Sequence, residues 1–312
     1  MTKPKVYFTK QITPESLVKI YQALGSRPHG RVAVKISTGE PGGHNYLKPE
    51  LIKDLVHLVD GTIVECNTAY GGKRGRTADS LETAQAHGFT DIAEVEILDA
   101  DGDIDLPVHG GEKLDVDPVG KGIEKYDTII NLSHFKGHQM GGFGGVLKNQ
   151  SIGFASSEGK AYIHTVGRTR QPEKLMACWS PNPPADLDLA AIQDDFLEAM
   201  AEAAKAVSDY MNTKLEGGNP RIVYIDVMNN LSRDCDCSSH PETPCMPDIG
   251  ILASLDPVAV DQACIDQINY SDDSGHERFM ERVNQQRGLH ILEHAAKIGL
   301  GSRDYELVNL DA

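Results

Sequence analysis

"DTIINLSHFKGHQMGGFGGVLKN", residues 127–149, joins a short apolar run to a loop of glycine, histidine and lysine. Thr128, Ile129, Ile130, Asn131 and Leu132 read as a buried strand, because an apolar run this short, ended by turn-forming residues, suits a strand covered on both faces. Residues 134–149 then hold two histidines, two lysines and five glycines. Glycines let a backbone come within contact distance of a ligand. Lysines hold negative charge, and imidazoles transfer protons or bind metal near neutrality. The bland alternative is a flexible connector.

Working outward, residues 31–38, 62–67, 94–99, 221–227 and 248–254 also read as strands. Between them lie helices opened by Pro49 at a first-turn position, by Thr77 as N-cap, and by Asp256 as cap before Pro257. Leu189, Ile192, Phe196, Met200, Ala203, Val207 and Met211 step by three or four and form the apolar stripe of a long helix. This rhythm predicts an α/β fold, a mostly parallel sheet flanked by helices. "EGGNP" at 216–220 suggests a joint between two lobes, an α/β lobe over 1–215 and a smaller one over 216–312 carrying a cysteine-rich loop.

Parallel sheets of this kind bind ligands outside the carboxyl ends of their strands. The loops leaving those ends carry His44 and Lys48, then Lys73, Arg74 and Arg76, then His134, Lys136, His138 and Lys148, then Cys235, Cys237, His240 and Cys245. Converging on one edge, they would line a basic pocket for a small anionic molecule, and the surrounding protein has a formal charge of −16. That charge argues against nucleic acid or an anionic membrane as partner. No apolar run reaches membrane-spanning length, so a cytoplasmic protein is expected, with its six cysteines reduced. Oligomeric state is left open.

Candidate catalytic residues are His138, Lys148 and His134. Candidate ligand- or cofactor-binding residues are Lys136, Gly142, Gly144, Gly145, Asn149, Lys73 and Arg74. The glycines follow neither the P-loop nor the dinucleotide spacing. In "DCDCSSHPETPC", Cys235 and Cys237 alternate by two, so on extended chain both sulfurs face one way, with His240 and Cys245 in reach. Thiolates with an imidazole suit zinc or an iron–sulfur cluster, and His164 is a further candidate ligand. Buried or redox-active thiols are the alternative.

"FKGHQMGGFGGVLKNQSIG", "GKAYIHTVG", "DFLEAMAEAAKAV" and "DCDC" before "PDIGILASLDPVAVDQAC" together resemble the domain of unknown function 362 family. Many of its members carry a ferredoxin-like insertion with two four-iron motifs. Here that place holds only "RTRQPEKLMACWSPNPPADLD" with Cys178 alone, which removes the usual reason to expect an iron–sulfur electron carrier. More faintly, "HQMGGFGGVLK" with a later histidine is similar to the core of the nickel-pincer lactate racemase family. That resemblance implies Lys148 as cofactor attachment, His138 as acid/base group and His164 as metal ligand. The loop matching that family's other catalytic histidine reads "AYGGKRGRT" and has none, so Lys73 or His44 would have to substitute. The expectation is thus a metal-dependent enzyme (nickel, zinc or iron–sulfur) acting on a carboxylate or phosphate metabolite by racemase-, epimerase- or redox-type chemistry. The alternative is a non-catalytic metal or iron–sulfur binder using Cys235, Cys237 and Cys245.

Overall fold

The computed structural model describes residues 2–181, 183–184, 187–214, 220–235 and 242–312. The first half runs β1 (Lys5–Thr9), α1 (Pro14–Ala23), β2 (Val32–Lys35), α2 (Pro49–Leu58), β3 (Gly61–Glu65), α3 (Thr77–Ala86), β4 (Val95–Ile97), β5 (Asp103–Pro107) and β6 (Val116–Gly120). Next come β7 (Thr128–His134), β8 (Lys136–His138), β9 (Gly142–Gly144), α4 (Val146–Phe154), α5 (Ser157–His164), α6 (Pro172–Cys178) and α7 (Gln193–Thr213). The chain closes with β10 (Ile222–Met228), β11 (Gly250–Ser254), α8 (Pro257–Asn269), α9 (Gly275–Gln285), α10 (His290–Lys297) and β12 (Glu306–Asn309).

Eight strands form one mostly parallel sheet in the order β12-β1-β11-β10-β7-β2-β3-β4, with only β11 antiparallel to its neighbours. β7 sits in the middle, and all seven of its residues are buried, as its apolar sequence requires. The 216–220 stretch lies almost wholly outside the described residues, and β10 beyond it pairs directly with β7. The pleat sends Ile129 to one face and Ile130 with Leu132 to the other, into two separate apolar cores. α1 and α2 cover the second face, while α4, α5, α7 and α8 cover the first. No helix among the described residues is long and apolar enough to cross a membrane.

Two expected boundaries shift for local reasons. α3 takes Arg76 as its N-cap, because the Thr77 hydroxyl accepts a hydrogen bond from Asn67 Nδ2 instead. α7 begins at Gln193, after Leu189, because the Asp188 carboxylate ties up the amides of Ala190 and Ala191 in a turn of its own. Asp256 caps α8 as expected, accepting from the amides of Val258 and Ala259 at 2.9 Å each.

The glycine stretch is an ordered ribbon. β8 and β9 pair antiparallel, matching Lys136 with Gly144 and His138 with Gly142. Phe135 stacks on Phe143 at 5.5 Å and on Phe279 of α9 at 6.1 Å, pinning the ribbon to the last third of the chain. α4 follows at once, and its first amides are already occupied. Asp261 of α8 accepts from Val146 N–H at 2.9 Å and from Leu147 N–H at 3.1 Å. A Cβ on Gly145 would stand 2.2 Å from Asp261 Oδ1, so this glycine admits a carboxylate of the protein itself. Gly145→Ala should destabilise the fold by roughly 1–3 kcal/mol, read as a lowered urea midpoint with unchanged slope. An unaltered midpoint would contradict this account of the ribbon.

Candidate functional site

Because β10, β7, β2 and β3 are adjacent and parallel, their following loops open on one edge of the sheet. A cavity of about 100 Å³ lies there, large enough for a small metabolite or a few waters. β2 contributes Lys35, and β3 with its loop contributes Glu65, Cys66 and Arg74. Ser133, Lys136 and His138 come from β7 and β8; Lys148, Asn149 and Gly153 from α4; Lys160 and His164 from α5. Cys235 enters from the segment after β10.

The cations of this cavity divide into two kinds. Arg74 is spent inside the protein: its guanidinium pairs with Glu40 and with Glu65 at 2.9 Å each. Glu65 also accepts from the amide and hydroxyl of Thr38. Burial opposes its charge, but Arg74, Lys35 and Thr38 outweigh that and hold its carboxyl below the usual range. Among the described residues, Lys35, Lys148 and Lys160 have no carboxylate in ion-pair contact. Lys35 Nζ donates to Ile36 O at 2.7 Å and Asn149 Oδ1 at 3.1 Å, and Lys160 Nζ donates to Ala155 O at 2.6 Å. Lys148 Nζ stands 3.9 Å from Cys235 Sγ. Burial pushes the Lys35 amine down, with Lys160 and Arg74 adding to it against the pull of Glu65 and Cys66, to about 8.

The two cavity histidines present opposite faces, assigned from their partners. His138 Nδ1 accepts from Gly141 N–H at 2.8 Å and Met140 N–H at 3.2 Å, so its proton sits on Nε2. Burial, then the Lys148 charge, lower its pKa, while a hydrogen bond with Cys235 works the other way. His164 Nδ1 donates to Lys160 O at 2.7 Å, which leaves Nε2 as a lone-pair nitrogen. Burial, reinforced by the charges of His138 and Lys148, brings its pKa down to about 3 despite that carbonyl. His164 is therefore neutral at physiological pH, stacked on Phe196 at 4.9 Å.

Of the residues singled out from sequence, His138, Lys148, Lys136, Gly144, Gly145, Asn149, Arg74, Cys235 and His164 line the cavity. His134, Gly142, Lys73 and Cys245 do not. His134 Nε2 lies 2.6 Å from Asn229 O, and Cys245 Sγ donates to Leu231 O at 3.3 Å. Cys237 and His240 lie outside the described residues. Among the described residues no group of three or more His, Cys, Asp or Glu is arranged to hold a metal ion. What the cavity does offer is a neutral imidazole nitrogen at His164, oriented by a backbone carbonyl as metal-binding histidines usually are, and the Cys235 thiol.

Lys35, Lys160 and Glu65 were not singled out from sequence. A lysine inside "RVAVKIST" looks like a strand residue, and only the strand's end position at the sheet edge hints at more. Behind the cavity lies the carboxyl pair Asp226 and Asp261, both buried. Burial, and then the charge of Asp261, push Asp226 well above the usual carboxyl range, against Lys136 and the Ser133 hydroxyl. Asp261, ionised, takes the α4 amides, so Asp226 holds the pair's proton.

The sequence matches the family model described as "Domain of unknown function (DUF362)" over residues 32–266. The chain belongs to this family. No curated protein matches the sequence. Among solved structures, the lactate racemase apoprotein from Thermoanaerobacterium thermosaccharolyticum is similar at 13% identity and a TM-score of 0.40, over 72% of this chain and 51% of that one. A structural-genomics protein from Thermotoga maritima is similar at 12% identity and a TM-score of 0.43, over 87% of this chain and 58% of that one. The chain thus spans about half to three-fifths of the length of these two structures.

This DUF362 chain should show a pH signature of the Asp226–Asp261 pair. An unfolded aspartate titrates near 3.9, and Asp226 titrates higher when folded. The stability its protonated form contributes is therefore full below about pH 4 and is lost as pH rises through the folded value. Asp226→Asn keeps a donor toward Asp261 and removes that titration. Its urea midpoint relative to wild type should climb between about pH 4 and pH 8. A gap constant with pH would rule the shared proton out.

Proposed function

We propose that this chain is an enzyme acting on a small anionic metabolite, a carboxylate or a phosphate, held at the carboxyl edge of the sheet. One observation carries the reading. Three lysines, Lys35, Lys148 and Lys160, line a buried cavity without an ion pair to any described carboxylate, in a protein with sixteen excess negative charges. Buried charge is costly unless paired, so an anion is the missing partner.

The cavity's own groups then divide the work. Lys148 and Lys160 hold negative charge. His138 presents an Nε2–H that can hydrogen-bond to a reacting oxygen. His164 presents a lone pair that stays unprotonated and suits a metal better than a proton. The motif resemblance gives Lys148 the alternative role of attachment point, and His164 that of ligand, for a metal-bearing group that would supply a Lewis acid at that end of the cavity. Racemase- or epimerase-type proton movement beside a carboxylate is the reaction class that these donors and acceptors serve.

Oxalate and inorganic phosphate should raise the melting temperature of the full chain. Lys148→Ala should weaken the affinity for the better of the two about tenfold, near 1.4 kcal/mol, in calorimetric titration. Equal affinity in both proteins, or no stabilisation by any small anion, would remove the basis of this reading.

A further inference from the structure

Lys35 sits at the carboxyl end of β2, 1% exposed, and its amine lines the cavity. Room for it is built in, since a Cβ on Gly153 would lie 2.8 Å from both its Cε and its Nζ. The two acceptors around the amine are fixed. Ile36 O belongs to the strand end, and Asn149 Oδ1 cannot turn away. The Asn149 Nδ2 group is committed to Lys35 O at 3.0 Å and to Asn131 Oδ1 at 2.8 Å. Asn131 is held in turn by donating to Val146 O at 3.0 Å.

The donor inventory follows from this. A lysine ammonium has three N–H bonds, and here two find acceptors in the protein. In the neutral amine the same two acceptors take both N–H bonds, and the nitrogen lone pair is what remains for the cavity. We infer that Lys35 is a nucleophilic amine that forms an imine with a small 2-oxo carboxylate whose acid group lies against Lys148 and Lys160. The inference rests on the anion-binding reading above and narrows its ligand to a carbonyl compound.

The step balances without a further reactant. The Lys35 nitrogen bonds to the carbonyl carbon as the C–O π pair moves to oxygen. The two amine hydrogens leave with that oxygen as water, giving C=N. Protonation of the imine from solvent restores the positive charge that Lys35 carries as an ammonium, beside the ionised Glu65. The groups around the amine, Glu65, Cys66, Arg74, Lys160, Asn149 and the Phe154 ring at 5.9 Å, leave it half neutral near pH 8, the state in which it attacks.

The test is reductive trapping on the full chain. Glyoxylate, pyruvate or 2-oxoglutarate is added with sodium cyanoborohydride, and the modified lysine is located by peptide mass mapping. The expected result is one saturable adduct on Lys35, suppressed by oxalate and absent from Lys35→Arg. Mapping the wild-type protein decides the question even if that variant fails to fold. Gly153→Ala, which crowds the amine, should slow adduct formation. An adduct on Lys148 or only on exposed lysines overturns the inference. So does the absence of any adduct while the same acids stabilise the protein, an outcome that leaves the anion site standing. No adduct and no stabilisation by any of these acids overturns both.

Discussion

The carboxylate of Asp261 on the first amides of α4 is the contact from which the rest of the edge is built. It fixes where the helix starts, so Lys148, Asn149 and Gly153 fall at set heights against β2 and β7. It also occupies the helix N-terminus, a place where bound anions otherwise sit. Negative charge from outside must then be met by lysine side chains. Gly145 exists at this junction because the carboxylate approaches too closely for a Cβ.

A buried polar chain runs from that contact to the cavity. Asn131 on the central strand donates to Val146 O, Asn149 donates to Asn131, and Asn149 Oδ1 faces the Lys35 amine. On the other side, Gln150 donates to Ala204 O and to Ser208 Oγ of α7. Each member has its partners, the condition under which a buried network rigidifies rather than weakens a core. The rigidity matters because an amine whose two N–H bonds have fixed acceptors keeps its lone pair in one direction.

Most of the sheet was legible in the sequence. The apolar runs at 128–132 and 221–227 gave adjacent parallel strands, and Asp256 with Pro257 gave a helix start, because those signals are local. The β8–β9 ribbon was not, since glycine-rich chain reads as loop and its order comes from Phe279, far along the chain. Half of the cavity was legible for a similar reason. His138 and Cys235 stand out as titratable residues at a strand end or in a loop, and Lys148 and His164 through the glycine and histidine motif they belong to. Lys35 and Lys160 do not stand out, because a lysine in a strand or a helix usually reaches solvent. Only the packing of α4 and α5 over the strand ends turns these two inward. Arg74 shows the converse. Its strand-end loop placed it among the ligand-binding candidates, but Glu40 and Glu65 consume its charge.

The central claim is that the lysine-lined cavity holds an anion. Its most direct measurement is the anomalous difference density of a crystal of the full chain soaked in selenate. The account predicts a peak within hydrogen-bonding reach of Lys148 and Lys160. Selenate found only on exposed lysines, with the cavity holding none, would contradict it.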